Sequence, residues 1–246
     1  MNESPIPTLN RQPDNQLNDD LNRLRQEYWR RQNDQSGVEL NSLINPGQLY
    51  LIQQRQRDLL SLLRNLDCST LTNKRILEIG CGSGGVLREL LWLGAEPSQL
   101  NGVELLDWRL AEAKTATPHL NLVNADGRFL PYADRCFDLV LQFTVFSSIL
   151  DDQVKHQIAA EIMRVVKPDG TIIWYDFWLN PSNNQTRGIR SAEIRSLFPN
   201  CRFQFRRITL APPIARKLAP RFQGLCLLLE KLRVLNSHYL VAIRPE

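Results

Sequence analysis

The sequence predicts an α/β fold, a mostly parallel sheet with helices on both faces. Three observations carry this. From residue 74 onward, short apolar runs alternate with longer amphipathic ones. The first of these runs ends in a glycine cluster, EIGCGSGG, at 78–85. A later run, FDLVLQF at 137–143, is apolar enough to be buried on both faces, as a central parallel strand is. Strands separated by helical stretches pair in parallel through crossover connections.

Element by element, RILEI (75–79) is a strand and GVLRELLWLGA (85–95) a helix. LNGVEL (100–105) is a strand, and DWRLAEAKTA (107–116) a helix with Asp107 as its expected N-cap. LNLVNAD (120–126) and FDLVLQF (137–143) are the third and fourth strands. Helix 152–167 carries Val154, Ile158, Ile162 and Val166 at fourfold spacing, and VKPDG (166–170) is expected to end it in a turn. TIIWYDF (171–177) is the fifth strand, followed by a short helix near 190–197, a strand at 201–209 and a last strand, HYLVAIR, at 238–244. An insertion, 211–235, separates those last two strands. Upstream, residues 1–15 are rich in Asn, Gln, Pro and Asp and are expected to be disordered. Helices at about 16–32 and 47–64 form a helical extension over 16–66, leaving 67–246 as the α/β domain.

Composition narrows the classes. A chain of 246 residues, 43% hydrophobic, suits one such domain with an extension. No apolar run approaches the roughly 18 residues of a membrane span. The first twenty residues lack the apolar core of a secretory signal. Five scattered cysteines with no CxxC argue against a disulfide framework or a metal site and for the cytoplasm. The net charge of +4 is uneven: residues 201–246 hold nine Lys/Arg and two Glu, the remainder 21 basic and 24 acidic residues. Such a basic region faces phosphate, anionic lipid, an acidic substrate or solvent.

Gly80, Gly82 and Gly85 spell GxGxxG between a strand and a helix, and Glu104 follows about twenty residues on. That pattern fits an adenine nucleoside: the glycines admit close approach and the carboxylate accepts from the ribose hydroxyls. It suits a nicotinamide dinucleotide as well as S-adenosylmethionine. Glu78 favours the second. A carboxylate inside a strand is costly unless paired, and S-adenosylmethionine brings an ammonium and a sulfonium where a dinucleotide brings a pyrophosphate. Asp126 and Gly127 follow the third strand, where a carboxylate can accept from the adenine amine.

RILEIGCGSGG, LNGVEL, NADGRFLPYADRCFDLVLQF and EIMRVVKPDGTIIWYDF, in that order over about residues 73–178, resemble the class I S-adenosylmethionine-dependent methyltransferases. The resemblance implies a Rossmann-like three-layer α/β/α sandwich whose sheet has seven strands, the last antiparallel. It implies S-adenosylmethionine as cofactor, with Glu78, Gly80 and Gly82 around the methionine part, Glu104 on the ribose, Asp126 on the adenine amine and Gln142 near the methionine end or the acceptor. Cys81, Leu105 and Gly127 complete the expected shell, Cys81 as a space-filler and Leu105 against the adenine or in the core. Asp107 and Trp108 flank the adenosine or serve as cap and packing aromatic, and Asp138 orders the start of its strand. Arg55 or Arg57 is the candidate for the methionine carboxylate, with helices 16–64 covering the cofactor.

Methyl transfer to oxygen needs alignment and a base. The catalytic candidates are Tyr175 and Asp176, ending the fifth strand, and His238, opening the last; His156 reads as a surface residue. Gln142-Phe143-Thr144-Val145 departs from the Asn/Asp-Pro-Pro-aromatic motif of enzymes that methylate base amines, which disfavours exocyclic base methylation, and no RNA-binding module is visible, so nucleic acid is the less favoured partner. WYDFWLNP, RGIRSAEIRSLFP, APPIARKLAP and SHYLVAIRP are more loosely similar to bacterial methyltransferases of surface-polysaccharide and glycan pathways. That similarity implies a hydroxyl acceptor on a small molecule or glycan, with Arg187 and Arg190 as acceptor contacts or surface ion pairs. In 211–235, Phe222, Leu225, Cys226, Leu229 and Leu232 recur at helical spacing among basic residues. This is either a cap helix on the sheet edge or an amphipathic segment touching a membrane surface or lipid-linked acceptor. The alternatives are an RNA methyltransferase, a dinucleotide-dependent oxidoreductase and a non-catalytic nucleotide-binding module.

Overall fold

The computed structural model describes residues 15–66, 70–180, 183 and 185–246. Seven strands form one sheet: β1 (Ile76–Ile79), β2 (Leu100–Glu104), β3 (Asn121–Asn124), β4 (Phe137–Phe143), β5 (Val166–Phe177), β6 (Cys201–Leu210) and β7 (Asn236–Pro245). Their order is β3-β2-β1-β4-β5-β7-β6, with β7 antiparallel to both neighbours. The strand order reverses between β1 and β4, so a crevice opens at their carboxyl ends. This is the expected Rossmann-like sandwich, with seven strands and the last antiparallel.

Nine α-helices lie among the described residues: α1 (Asn15–Asn33), α2 (Gln35–Asn41), α3 (Pro46–Asn65), α4 (Gly85–Trp92), α5 (Asp107–Ala116), α6 (Asp152–Val165), α7 (Ser191–Leu197), α8 (Pro212–Leu218) and α9 (Gln223–Leu232). Period-2 alternation sorts the sheet residues. Leu139, Leu141 and Phe143 of β4 join the core beneath α3, α4 and α5, whereas Val140 joins the core beneath α6 and α7, as does Phe137, which precedes a register shift in the strand. Two starts are capped by side chains. Asn45 accepts from the amides of Gly47 and Gln48 ahead of α3, and Asp151 from those of Gln153 and Val154 ahead of α6; each cap is worth about 1 kcal/mol.

Several expectations are corrected. VKPDG is not a turn: α6 ends at Val165, and Val166 already pairs with Phe137, so β5 begins there with a register shift. Asp107 is not the N-cap of α5, which falls at Leu106; its carboxylate accepts only from the adjacent Trp108 amide. The boundary at 66/67 has no structural counterpart. Leu59, Leu62, Leu63 and Leu66 of α3 are core residues of the sandwich, and buried Gln54 accepts from the Leu210 amide at 3.0 Å. The insertion folds as α8 and α9 and makes a third small core with Tyr50 and Leu51 of α3. The disorder expected for 1–15 falls, up to residue 14, outside the described residues.

Candidate functional site

A cavity of about 750 Å³ occupies the crevice. Its floor is the strand–loop–helix unit. The loop turns through Gly80, Gly82 and Gly84 with φ of 66°, 54° and 78°, conformations that favour glycine. A Cβ on Gly80 would meet Val145 at 2.6 Å, and one on Gly82 the Arg109 guanidinium at 2.5 Å. Glu104, ending β2, accepts from the Gly82 amide at 2.8 Å and the Leu106 amide at 2.9 Å. The loop and the second strand are thereby locked together. Glu104→Ala is expected to cost about 2 kcal/mol of stability by orphaning two amides, and to lower affinity for the nucleoside end; thermal melts and calorimetry check both.

Glu78 ends up at the cavity wall, 2% exposed, and its Oε2 has no hydrogen-bond partner. Burial pushes its carboxyl well above the usual range; Arg55 opposes this, while Glu89 and Glu104 add to it. A cation arriving beside such a group favours its charged form. Arg55 reaches into the site from α3, forms a buried ion pair with Glu89 of α4, and sits 5.5 Å from the Phe143 ring centroid. Burial raises the Glu89 carboxyl too, against the pull of Arg55, and its Oε2 is also unpartnered.

The roof is α1. Tyr28 faces the Arg109 guanidinium at 4.9 Å, and its hydroxyl lies 3.4 Å from Ser148 Oγ. Arg23 donates to the Ser148 carbonyl at 2.7 Å, and Gln32 to Glu112 of α5 at 2.8 Å. The helix therefore bridges the two sides of the crevice. Leu21, Leu24, Leu43, Ile52, Phe143 and Ile149 supply apolar wall.

Gly80, Cys81, Gly82, Leu105, Asp126 and Gly127 also line the cavity. Cys81 is buried, its thiol pushed up by burial, and its sulfur would lie 2.8 Å from a Cβ on Gly102, so it fills the space that glycine leaves. Asp126 pairs with Arg128 at 2.7 Å and accepts from the Arg128 amide. Gln142 does not line the cavity. It is fully buried on the opposite face of β4, where its Oε1 accepts from the Val145 amide at 3.2 Å and orders the loop.

The three catalytic candidates are corrected as well, for none of them lines the cavity. Tyr175 is buried under α3, its hydroxyl 3.0 Å from Thr209 Oγ1, and burial pushes it up to about 12. His238 stacks on Tyr175 at 4.7 Å, bonds the Ser237 hydroxyl, and is held neutral by burial down to about 3. Asp176 points to the other face and accepts from the Ser147 amide at 3.0 Å; burial raises it to about 6. These are packing and loop-positioning residues. Tyr175→Phe and His238→Phe are each expected to leave turnover within about twofold, with Tyr175→Phe costing about 1 kcal/mol for its hydrogen bond; steady-state kinetics beside thermal melts check this. His156 is exposed, Arg190 is exposed, and Arg187 pairs with Asp152 and Glu193 away from the cavity. Arg57 pairs with Glu230, so Arg55 is the arginine the structure brings into the site.

Tested against S-adenosylmethionine, these residues fit. An orphaned buried carboxylate oxygen suits an ammonium, and glycines leave the backbone open beside it. A pyrophosphate seated at that oxygen would instead meet the Glu78 carboxyl, while Arg31, Arg55, Arg88 and Arg109 line the cavity around it.

Comparison with known proteins agrees. Residues 76–170 match the profile of a methyltransferase domain. A phthiotriol/phenolphthiotriol dimycocerosates methyltransferase of Mycobacterium ulcerans is 32% identical over 121 residues, 46% of this chain and 40% of that protein. A sterol 24-C-methyltransferase of Gibberella zeae is 33% identical over 111 residues, 43% of this chain and 28% of that one. The chain thus spans less than half the length of these curated relatives. Among solved structures, a TehB-like S-adenosylmethionine-dependent methyltransferase of Corynebacterium glutamicum superposes with a TM-score of 0.52 at 17% identity, over 79% of this chain and 96% of that one. The PH0226 protein of Pyrococcus horikoshii gives 0.55 at 16%, over 78% and 92%. At these identities the two structures speak for the fold. The sequence match runs across β1 to β4 and into β5 of this sheet, and over that stretch the chain is similar to a methyltransferase domain.

Proposed function

We propose that the protein transfers a methyl group to a hydroxyl oxygen of a small-molecule or glycan acceptor that has an apolar portion. The observation that carries the transferase reading is the unpartnered Oε2 of Glu78, buried at the cavity wall beside Gly80 and Gly82. S-adenosylmethionine supplies, when bound, an electrophilic methyl group on a sulfonium. Glu78 accepts from its ammonium, Glu104 from the ribose hydroxyls and Asp126 from the adenine amine, with Leu105 against the ring. Phe143, Ile52, Leu21 and Leu24 exclude water and take the apolar part of the acceptor. Glu89 is the carboxylate left to take the hydroxyl proton: it lines the same cavity, has a free oxygen and has a raised affinity for protons. The names of the two curated relatives, which specify a phthiotriol dimycocerosate and a sterol, support an apolar acceptor.

The test is transfer of a labelled methyl group to separated pools of lipid extract, glycan, small polar metabolites and RNA, followed by identification of the methylated atom. Label on oxygen in the lipid, glycan or small-molecule pool is expected. Label confined to RNA, or to carbon or nitrogen, overturns the acceptor assignment.

A further inference from the structure

α9 presents its apolar residues outward. Phe222 and Leu228 are both 58% exposed, Leu232 61% and Val234 74%, and Leu225, Leu227 and Leu235 are exposed with them. On this helix only Cys226 is buried, with Leu229 half-buried toward Tyr50 and Leu51. A second apolar group stands on the same block. Leu40, Leu43 and Ile44, the last 92% exposed, sit at the end of α2 and the turn into α3. Arg216 of α8 ties that turn to the insertion, donating to Asn41 Oδ1 at 2.9 Å and Gln48 Oε1 at 3.0 Å. Gly47 lies so close to Arg216 that a Cβ there would meet its Cα at 2.5 Å.

The exposed charge of the insertion has one sign. Lys217, Arg221, Lys231 and Arg233 are exposed. Glu230, the sole acid in 211–235, is turned inward, accepting from Tyr50 at 2.8 Å and Arg57 at 3.2 Å. Long cationic side chains beside bare aliphatic ones suit an interface with apolar depth and anionic headgroups, where the stems bury and the charges reach phosphate. No described helix is long and apolar enough to cross a membrane, so contact is with the surface. A second copy fits less well, because a two-fold interface sets like charges against each other. Leu43 also lines the cavity, as does Trp92, 86% exposed, so the apolar face runs to the cavity mouth.

We infer that the α8–α9 segment with the α2–α3 turn docks the protein on anionic lipid bilayers. Vesicle binding by this face is independent of whether the cavity transfers a methyl group. The experiment is co-sedimentation of the full chain with phosphatidylcholine vesicles, with and without phosphatidylglycerol, beside light scattering of the protein alone. Wild type is expected to bind the anionic vesicles at least roughly tenfold more tightly, with affinity falling as salt rises. Leu228→Ser/Leu232→Ser is expected to lose binding to both vesicle types with an unchanged melting temperature, since both side chains are exposed. Lys217→Gln/Arg221→Gln/Lys231→Gln is expected to lose the anionic preference. No sedimentation of wild type, equal sedimentation of the leucine variant, or a dimer that the leucine variant converts to monomer would each overturn the assignment.

Discussion

Glu78→Gln is expected to weaken S-adenosylmethionine binding by about 2 kcal/mol, roughly thirtyfold, while making the free protein more stable. The two signs have one cause. Glu78 is a buried carboxyl with an unpartnered oxygen, its proton affinity raised by burial. In the unfolded chain it ionises at its ordinary position; in the folded chain it holds its proton to higher pH. Its contribution to stability is therefore complete below the ordinary carboxylate range and is lost as pH rises through the raised value. The amide variant removes that loss, so its melting temperature exceeds wild type most at the alkaline end of the range. Cofactor binding runs the other way: an ammonium needs the ionised carboxylate, so wild-type affinity falls as pH drops and binding releases a proton. Melts across pH, paired with titration calorimetry, read both signs. A variant that is less stable yet binds normally would contradict the assignment.

The second large effect belongs to Arg55→Met. Arg55 and Glu89 form an ion pair with both side chains mostly buried, 17% and 13% exposed. Removing the arginine leaves a buried carboxylate without its partner, which costs about 3 kcal/mol. It also removes the guanidinium that opposes the rise of Glu78. Restoring neutrality with Arg55→Met/Glu89→Leu is expected to recover most of the stability, because replacing a buried pair by apolar groups is often neutral. Transfer should not recover, since Glu89 is the proposed proton acceptor. Denaturant unfolding and single-turnover transfer on the same variants separate the two roles; a double variant with wild-type turnover would remove Glu89 from the chemistry.

The sheet was legible because its signals are local. β1 with its glycines, β2 ending in Glu104 and the apolar β4 each follow from residue type and spacing. The side of a strand end was harder to read. Chemistry in this fold gathers at carboxyl ends, which makes Tyr175, Asp176 and Gln142 candidates by position. Yet period-2 alternation points Tyr175 under α3, where His238 and Thr209 receive it, and turns Gln142 and Asp176 toward the 145–147 loop. The cavity is closed instead by helices whose polar residues look like solvated surface. Glu89 follows the last glycine of the cluster, Gly85, by four residues on an amphipathic helix, and nothing in its spacing marks it as buried. Its signal is tertiary: Arg55 meets it only because α3 packs onto the sheet as a layer of the sandwich. VKPDG misled for a similar reason. Its proline and glycine read as a turn, but pairing of Val166 with Phe137 carries the strand through them.

The central claim is that the Glu78 cavity binds a cationic sulfonium cofactor and not an anionic dinucleotide. Titration calorimetry of the wild-type protein with S-adenosylmethionine and with NAD, each in two buffers of different ionisation enthalpy, tests it most directly. Saturable binding of S-adenosylmethionine with proton release, and none of NAD, is predicted. Tight NAD binding with no S-adenosylmethionine binding would contradict it.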